Sequence, residues 1–108
     1  SHDDGETWTS PIMSPFNDGK PYGGASCESS VVRMPGSDTM LFSTPFASGR
    51  SSMSVFASRD SGASWALLRT LDKGPGAYSS LAPLNGTHAA LAYEAGNDAI
   101  IVDIVAGA

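Results

Sequence analysis

The chain has 108 residues, 41% hydrophobic and only 16% charged, with a net charge of −5. That acidic balance, with no Lys/Arg cluster, argues against nucleic acid or anionic membrane as a partner, and no apolar run approaches the roughly 18 residues that span a bilayer. The single cysteine, Cys27, excludes an intrachain disulfide.

Period-two patterns of Val, Ile, Leu, Phe and Tyr recur along the chain with turn signals between them, and no stretch carries a helical period. In chain order, strands are predicted at WTSPIM (8–13), SSVVRM (29–34), TMLFST (39–44), MSVFAS (53–58), WALLRTL (65–71), SSLAPL (79–84), HAALAY (88–93) and AIIVDIV (99–105). Pro35-Gly36-Ser37-Asp38, Asn85-Gly86 and Gly96-Asn97-Asp98 carry hairpin-turn residues between them. The fold class is all-β.

A longer period lies over this one. SHDDGETW at the start and SRDSGASW at 58–65 share Ser, Asp, Gly and Trp at one spacing, 57 residues apart. ESSVVRMPGSDTMLFSTP and YSSLAPLNGTHAALAYEAG align Ser29-Ser30 with Ser79-Ser80, an offset of 50. Units of about that length, each with four short antiparallel strands, match the blade of a β-propeller. The chain then holds the last strand of one blade, one whole blade and three strands of another. A blade is apolar on both faces and needs neighbours, so residues 1–108 are expected to be the C-terminal portion of a larger propeller, not a complete domain.

The repeated octapeptide, S-x-D-x-G-x-[ST]-W, describes a folded corner. Its Asp accepts hydrogen bonds from nearby backbone amides, its Gly tolerates positive φ, and its Trp wedges between sheets. Asp3, Gly5, Trp8, Asp60, Gly62 and Trp65 are therefore read as structural, with no reactive role. The pattern resembles the Asp-box (BNR repeat) of sialidases and of other propellers.

Function must come from residues outside the repeat. Glu28 and Tyr78 stand just before the inner strands of adjacent units, and Arg50 and Glu94 just after the second strands. In a propeller all four positions open on one face. By residue type alone, Arg50 reads as a solvated loop arginine, Tyr78 as a strand cap, and Glu28 and Glu94 as exposed carboxylates.

The surrounding segments resemble those of secreted bacterial exo-sialidases (neuraminidases). GAYSSL is similar to the segment carrying the catalytic tyrosine, which places the nucleophile at Tyr78. LFSTPFASGRSSMSVFAS is similar to the segment carrying one arginine of the sialidase triad, here Arg50 on the substrate carboxylate. LAYEAG resembles the segment whose glutamate holds another triad arginine, here Glu94, and SCESSVV one whose leading polar residue lines the sugar pocket, here Glu28. The spacing of 28 residues from Arg50 to Tyr78 fits.

The resemblance implies a six-bladed catalytic propeller, of which about two blades lie here. It implies release of terminal α-linked sialic acid from glycans, with retention. A carboxylate on the anomeric carbon would repel an anionic nucleophile, and sialidases use a tyrosine in its place. A phenol needs a base to take its proton, and the family's activating Glu, acid/base Asp and other triad arginines lie earlier in the chain. The 108 residues alone are thus expected to be inactive. Secretion is likewise implied by the resemblance; no basic-then-apolar leader opens the chain, so any signal is expected upstream. No cofactor or metal is implied, and His2 and His88 lack ligand spacing. The alternatives are a trans-sialidase, in which a second sugar takes the sialyl group, and a non-catalytic Asp-box propeller serving as a binding module.

Overall fold

Alternating apolar residues bounded by turn residues leave the backbone one way to satisfy its polar groups, which is strand pairing. The computed structural model describes all residues except 13, 18–19, 22–26, 48, 97 and 108. In chain order its strands are β1 (Phe16–Asn17), β2 (Lys20–Pro21), β3 (Ser30–Arg33), β4 (Met40–Ala47), β5 (Ser51–Ser58), β6 (Ala66–Pro83), β7 (His88–Ala95) and β8 (Ala99–Ala106). β1 and β2 form a short pair of their own, and β3 to β8 follow one another in a six-stranded antiparallel sheet. The fold is all-β, as expected, and the sheet curls as part of a β-propeller does.

The curl is built into β6, which has 18 residues. Its first half pairs with β5, from Ala57↔Ala66 to Ser51↔Pro75. Its second half pairs with β7, from Gly76↔Ala95 to Pro83↔Ala89. One strand is therefore the outer strand of a four-stranded blade and the inner strand of the next. WALLRTL and SSLAPL, predicted as separate strands, are one. Gly74-Pro75-Gly76 reads as punctuation in the sequence, yet here it marks the crossing between blades. The strand predicted at 8–13 is absent over Trp8–Ile12, and Met13 lies outside the described residues. Pro11 offers no amide for a ladder, and Trp8 and Ile12 stand exposed. Of the turns, Asn97 also lies outside the described residues.

The two blades pack face to face. Met34, Leu41, Met53, Val55 and Ala57 from the first meet Leu81, Ala89, Leu91, Tyr93 and Val105 from the second. Polar groups cross the same seam. The hydroxyls of Ser43 and Ser79 lie 2.8 Å apart, buried, and the Leu81 amide donates to Ser30 Oγ at 2.9 Å. Arg69 on the outer strand reaches Asp103 on β8 at 3.3 Å.

Strand register shows how the blades correspond. Ser30 pairs with Ser43, and Ser80 with Ala92, so the offset of 50 along the inner strand keeps each side chain on its proper face. Met53 and Val55, beside Pro45 and Ser43, then correspond to Ile100 and Val102, beside Glu94 and Ala92. The first pair is 0% exposed under the second blade, whereas Ile100 and Val102 are 67% and 66% exposed.

The repeated octapeptide folds the same way twice. In the second copy Asp60 Oδ1 accepts from the Ser64 amide at 2.8 Å, the Ser64 hydroxyl donates to Asp60 Oδ2, and Ser58 Oγ accepts from the Gly62 amide at 2.8 Å. In the first, Asp3 accepts from the Thr7 amide at 2.9 Å and the Thr7 hydroxyl at 2.6 Å, and Ser1 Oγ accepts from the Gly5 amide at 2.8 Å. Gly5 and Gly62 sit at φ 89° and 90°, a conformation that strains any residue with a Cβ. Only the packing differs. Trp65 lies edge-on to Phe16 and Phe42, while Trp8 has 76% of its surface exposed.

Truncating Leu91, fully buried at the seam, to alanine should cost roughly 2–5 kcal/mol, read as a lower urea midpoint with an unchanged slope; a smaller cost would mean the blades do not pack as described. The Asp60 carboxyl is held down to about 2 by the Ser64 hydroxyl, then the Ser64 amide, then the Ser58 hydroxyl. Because the folded pKa lies below the ordinary 3.8, the stabilisation is complete above that value and is lost as pH falls toward about 2. Carboxyl-carbon NMR should give an Asp60 midpoint near 2, and a midpoint at the ordinary value would show the corner open in solution.

Candidate functional site

The inner strand of the second blade carries an irregularity where it enters the sheet. Gly76 pairs with Ala95 and Ser79 with Tyr93, so Ala77 and Tyr78 together face the single residue Glu94. This is a β-bulge, a device that redirects a side chain. Tyr78 is 44% exposed, and its amide donates to Glu94 Oε1 at 3.0 Å.

Arg50 arrives from the other blade, in the loop between β4 and β5. Gly49 and Arg50 both take positive φ, 78° and 57°. For arginine that region is unfavourable and must be imposed by its surroundings. The Arg50 carbonyl accepts from the Gly76 amide at 2.8 Å, which ties the loop to the crossing two residues before Tyr78. The guanidinium then lies 5.7 Å from the centre of the Tyr78 ring, within cation–π range. Among the described residues the ion pairs are Arg33–Asp38 and Arg69–Asp103, and Arg50 belongs to neither.

Glu28, two residues before β3, completes the group. Glu28, Tyr78, Ser80, Ala92, Glu94 and Ile100 line one open cleft of about 240 Å³. The four residues singled out from the sequence therefore come together, three lining the cleft and Arg50 over the tyrosine ring. The Asp-box corners do not join them. The box at 58–65 hangs from the far end of β5, whose eight residues span roughly 25 Å at about 3.3 Å each.

Chemically, the cleft offers a phenol and two carboxylates, and beside it stands a guanidinium without a carboxylate partner among the described residues, all reachable from solvent. A guanidinium so placed can clamp a carboxylate in bidentate fashion. Among the described residues no carboxylate hydrogen-bonds the Tyr78 hydroxyl, and no cluster of three or more His, Cys, Asp or Glu is arranged to hold a metal. Sequence reasoning missed two connections, Glu94 to the Tyr78 amide and Arg50 to Gly76. Gly74-Pro75-Gly76 was the one available signal of a backbone irregularity here.

No protein-family model and no curated protein matches the sequence. Solved structures do match. The Hadza microbial sialidase Hz136 is similar over 98% of this chain, with a TM-score of 0.78 and 26% identity. The match spans 22% of that sialidase's own chain. The strand arrangement is thus that of part of a sialidase-like propeller.

Proposed function

We propose that the chain is the C-terminal part of the six-bladed catalytic propeller of a secreted exo-α-sialidase, with Tyr78 as nucleophile. The observation that carries this reading is the meeting of Arg50 and Tyr78 from adjacent blades, 5.7 Å apart. Likeness to a sialidase over nearly the whole chain supports it.

In this reading Arg50 binds the carboxylate of a terminal sialic acid and sets the anomeric carbon over Tyr78. A carboxylate from an earlier part of the parent chain takes the phenol proton as Tyr78 Oη bonds to that carbon. The glycosidic bond breaks, and an acid, also from an earlier part, protonates the leaving oxygen. Water then opens the sialyl-tyrosine with the proton transfers reversed, giving retention. Glu28 lines the sugar pocket. Glu94 orients a further arginine supplied by the parent chain.

The second blade's outward face fits the same reading. Ile100 and Val102, with Ile104 beside them, are exposed where their counterparts Met53 and Val55 are covered, so a further blade of the parent is the natural cover. The 108 residues alone would then be inactive.

Treating the parent protein with a difluorinated sialic acid analogue, then mapping peptides, should place a sialyl adduct on Tyr78, and Tyr78→Phe should remove it with at least a thousandfold loss of kcat, on the order of a lost nucleophile. Folded protein without any adduct would overturn the catalytic reading in favour of a binding module. A labelled protein that passes the sialyl group to galactosides in preference to water would be a trans-sialidase.

A further inference from the structure

We propose that Glu94 is a positioning residue for Tyr78, holding through the backbone the bulge that aims the tyrosine ring. The catalytic half of this inference rests on the proposed nucleophilic role of Tyr78; the structural half does not.

The argument begins with the hydrogen-bond ladder. Between Gly76↔Ala95 and Ser79↔Tyr93 the inner strand has one residue more than its partner. A bulge of this kind leaves its extra residue outside the ladder. Glu94, the one residue facing the bulge, takes the Tyr78 amide on its side-chain Oε1 at 3.0 Å. A carboxylate acceptor makes a stronger bond with an amide than a neutral oxygen does. The contact spans the two strands at the residue whose direction matters. From the opposite side, the Arg50 carbonyl holds the Gly76 amide at 2.8 Å. The bulge is thus pinned at both ends, by a side chain on β7 and by the loop that carries Arg50.

Pinning matters because Tyr78 is 44% exposed, so little packing restrains it. Without the Glu94 bond the bulge is free to shift along the strand, and each one-residue slip turns the tyrosine to the other face. The role also differs in kind from holding an arginine. An amide needs only an oxygen acceptor, which glutamine keeps. An arginine needs the negative charge, which glutamine lacks.

That difference supplies the test, made in the full-length parent with Glu94→Ala and Glu94→Gln. Two quantities are measured: hydrogen exchange of the Tyr78 amide, resolved by fragmentation mass spectrometry, and kcat and KM on an aryl sialoside. In Glu94→Ala, Tyr78 exchange should quicken about tenfold, as expected for one lost hydrogen bond, with Leu81 and Leu91 unchanged. Its kcat should fall about tenfold to a hundredfold, as for a small misplacement of a reacting group. Glu94→Gln should restore both the slow exchange and most of kcat. Any loss of arginine pairing should appear as a KM raised equally in the two variants.

Unchanged Tyr78 exchange in Glu94→Ala overturns the proposal. So does a Glu94→Gln protein with slow exchange but kcat as low as in Glu94→Ala, which would assign Glu94's effect to its charge. A parent without sialidase activity whose Tyr78 exchange still follows the predicted pattern would sink the catalytic reading and leave the bulge assignment standing.

Discussion

The whole arrangement depends on one strand serving two sheets. β6 gives its first half to β5 and its second half to β7. At the crossing its amides must leave one set of carbonyls and find another. Within that stretch the Asp72 carboxylate takes the Gly74 amide at 2.7 Å and the Arg50 carbonyl takes the Gly76 amide at 2.8 Å. The Glu94 carboxylate takes the Tyr78 amide at 3.0 Å. Pro75 has no amide to satisfy. Close packing shapes the crossing too: a Cβ on Gly96 would lie 3.1 Å from Pro75 Cγ, so glycine lets the β7 end pass the proline. The candidate site stands at the crossing because that is where irregular backbone has to be. Strain and bulges collect where ladders are exchanged, and exposed side chains can be aimed there without breaking a core.

The same strand sets the energetics of the seam. Folding β6 over brings two apolar faces together, and burial of Leu41, Met53, Val55, Leu91 and Val105 supplies the main favourable contribution. The polar groups caught in the seam are matched rather than excluded: Ser43 and Ser79 share a hydrogen bond across it, and within the first blade Ser54 and Thr70, partners on neighbouring strands, share another at 3.0 Å. No buried side-chain oxygen or nitrogen among the described residues lacks a partner. Such pairs add little net stability, but a missing partner would cost about 1–3 kcal/mol, so they favour one register over its neighbours. Tyr93, whose phenol pKa is raised by burial and by nearby Asp72 and Asp103, stays a neutral core residue. It is distinct in role from Tyr78, its neighbour across the sheet.

Much of this was legible in the sequence, and the failures have a common cause. Strand type and the two turns of β3–β4 and β6–β7 follow from local alternation and turn residues, which act over a few positions. The repeat placed Glu28 and Tyr78 at matching points and brought Arg50 and Glu94 to the same end, because register along a blade preserves position. The sequence misled where an outcome depends on a neighbour. WTSPIM alternates like a strand, but no described strand lies beside Trp8–Ile12 to pair with it. WALLRTL and SSLAPL look separate because Gly and Pro between them signal a stop, yet the crossing needs those residues to change partners while staying extended. The Glu94 contact was invisible because a bulge is a property of two strands at once.

The Asp-boxes and the candidate site show opposite relations between local and long-range order. Trp8 and Trp65 differ greatly in burial, while Asp3 and Asp60 make the same bonds within their own octapeptides. The corner thus closes on itself whatever packs against it, which is why it recurs without marking a function. Arg50 is the reverse. In a chain with 11 acidic and 6 basic residues, Arg33 and Arg69 each hold an aspartate, while Arg50 lies against an aromatic face. Its backbone is strained and its loop is tied to another blade, so its position is set by long-range contacts. A cation left without a carboxylate among the described residues, amid an excess of carboxylates, gives up an available ion pair. Under the proposed function it keeps its donors for an anion that arrives from outside, the carboxylate of sialic acid.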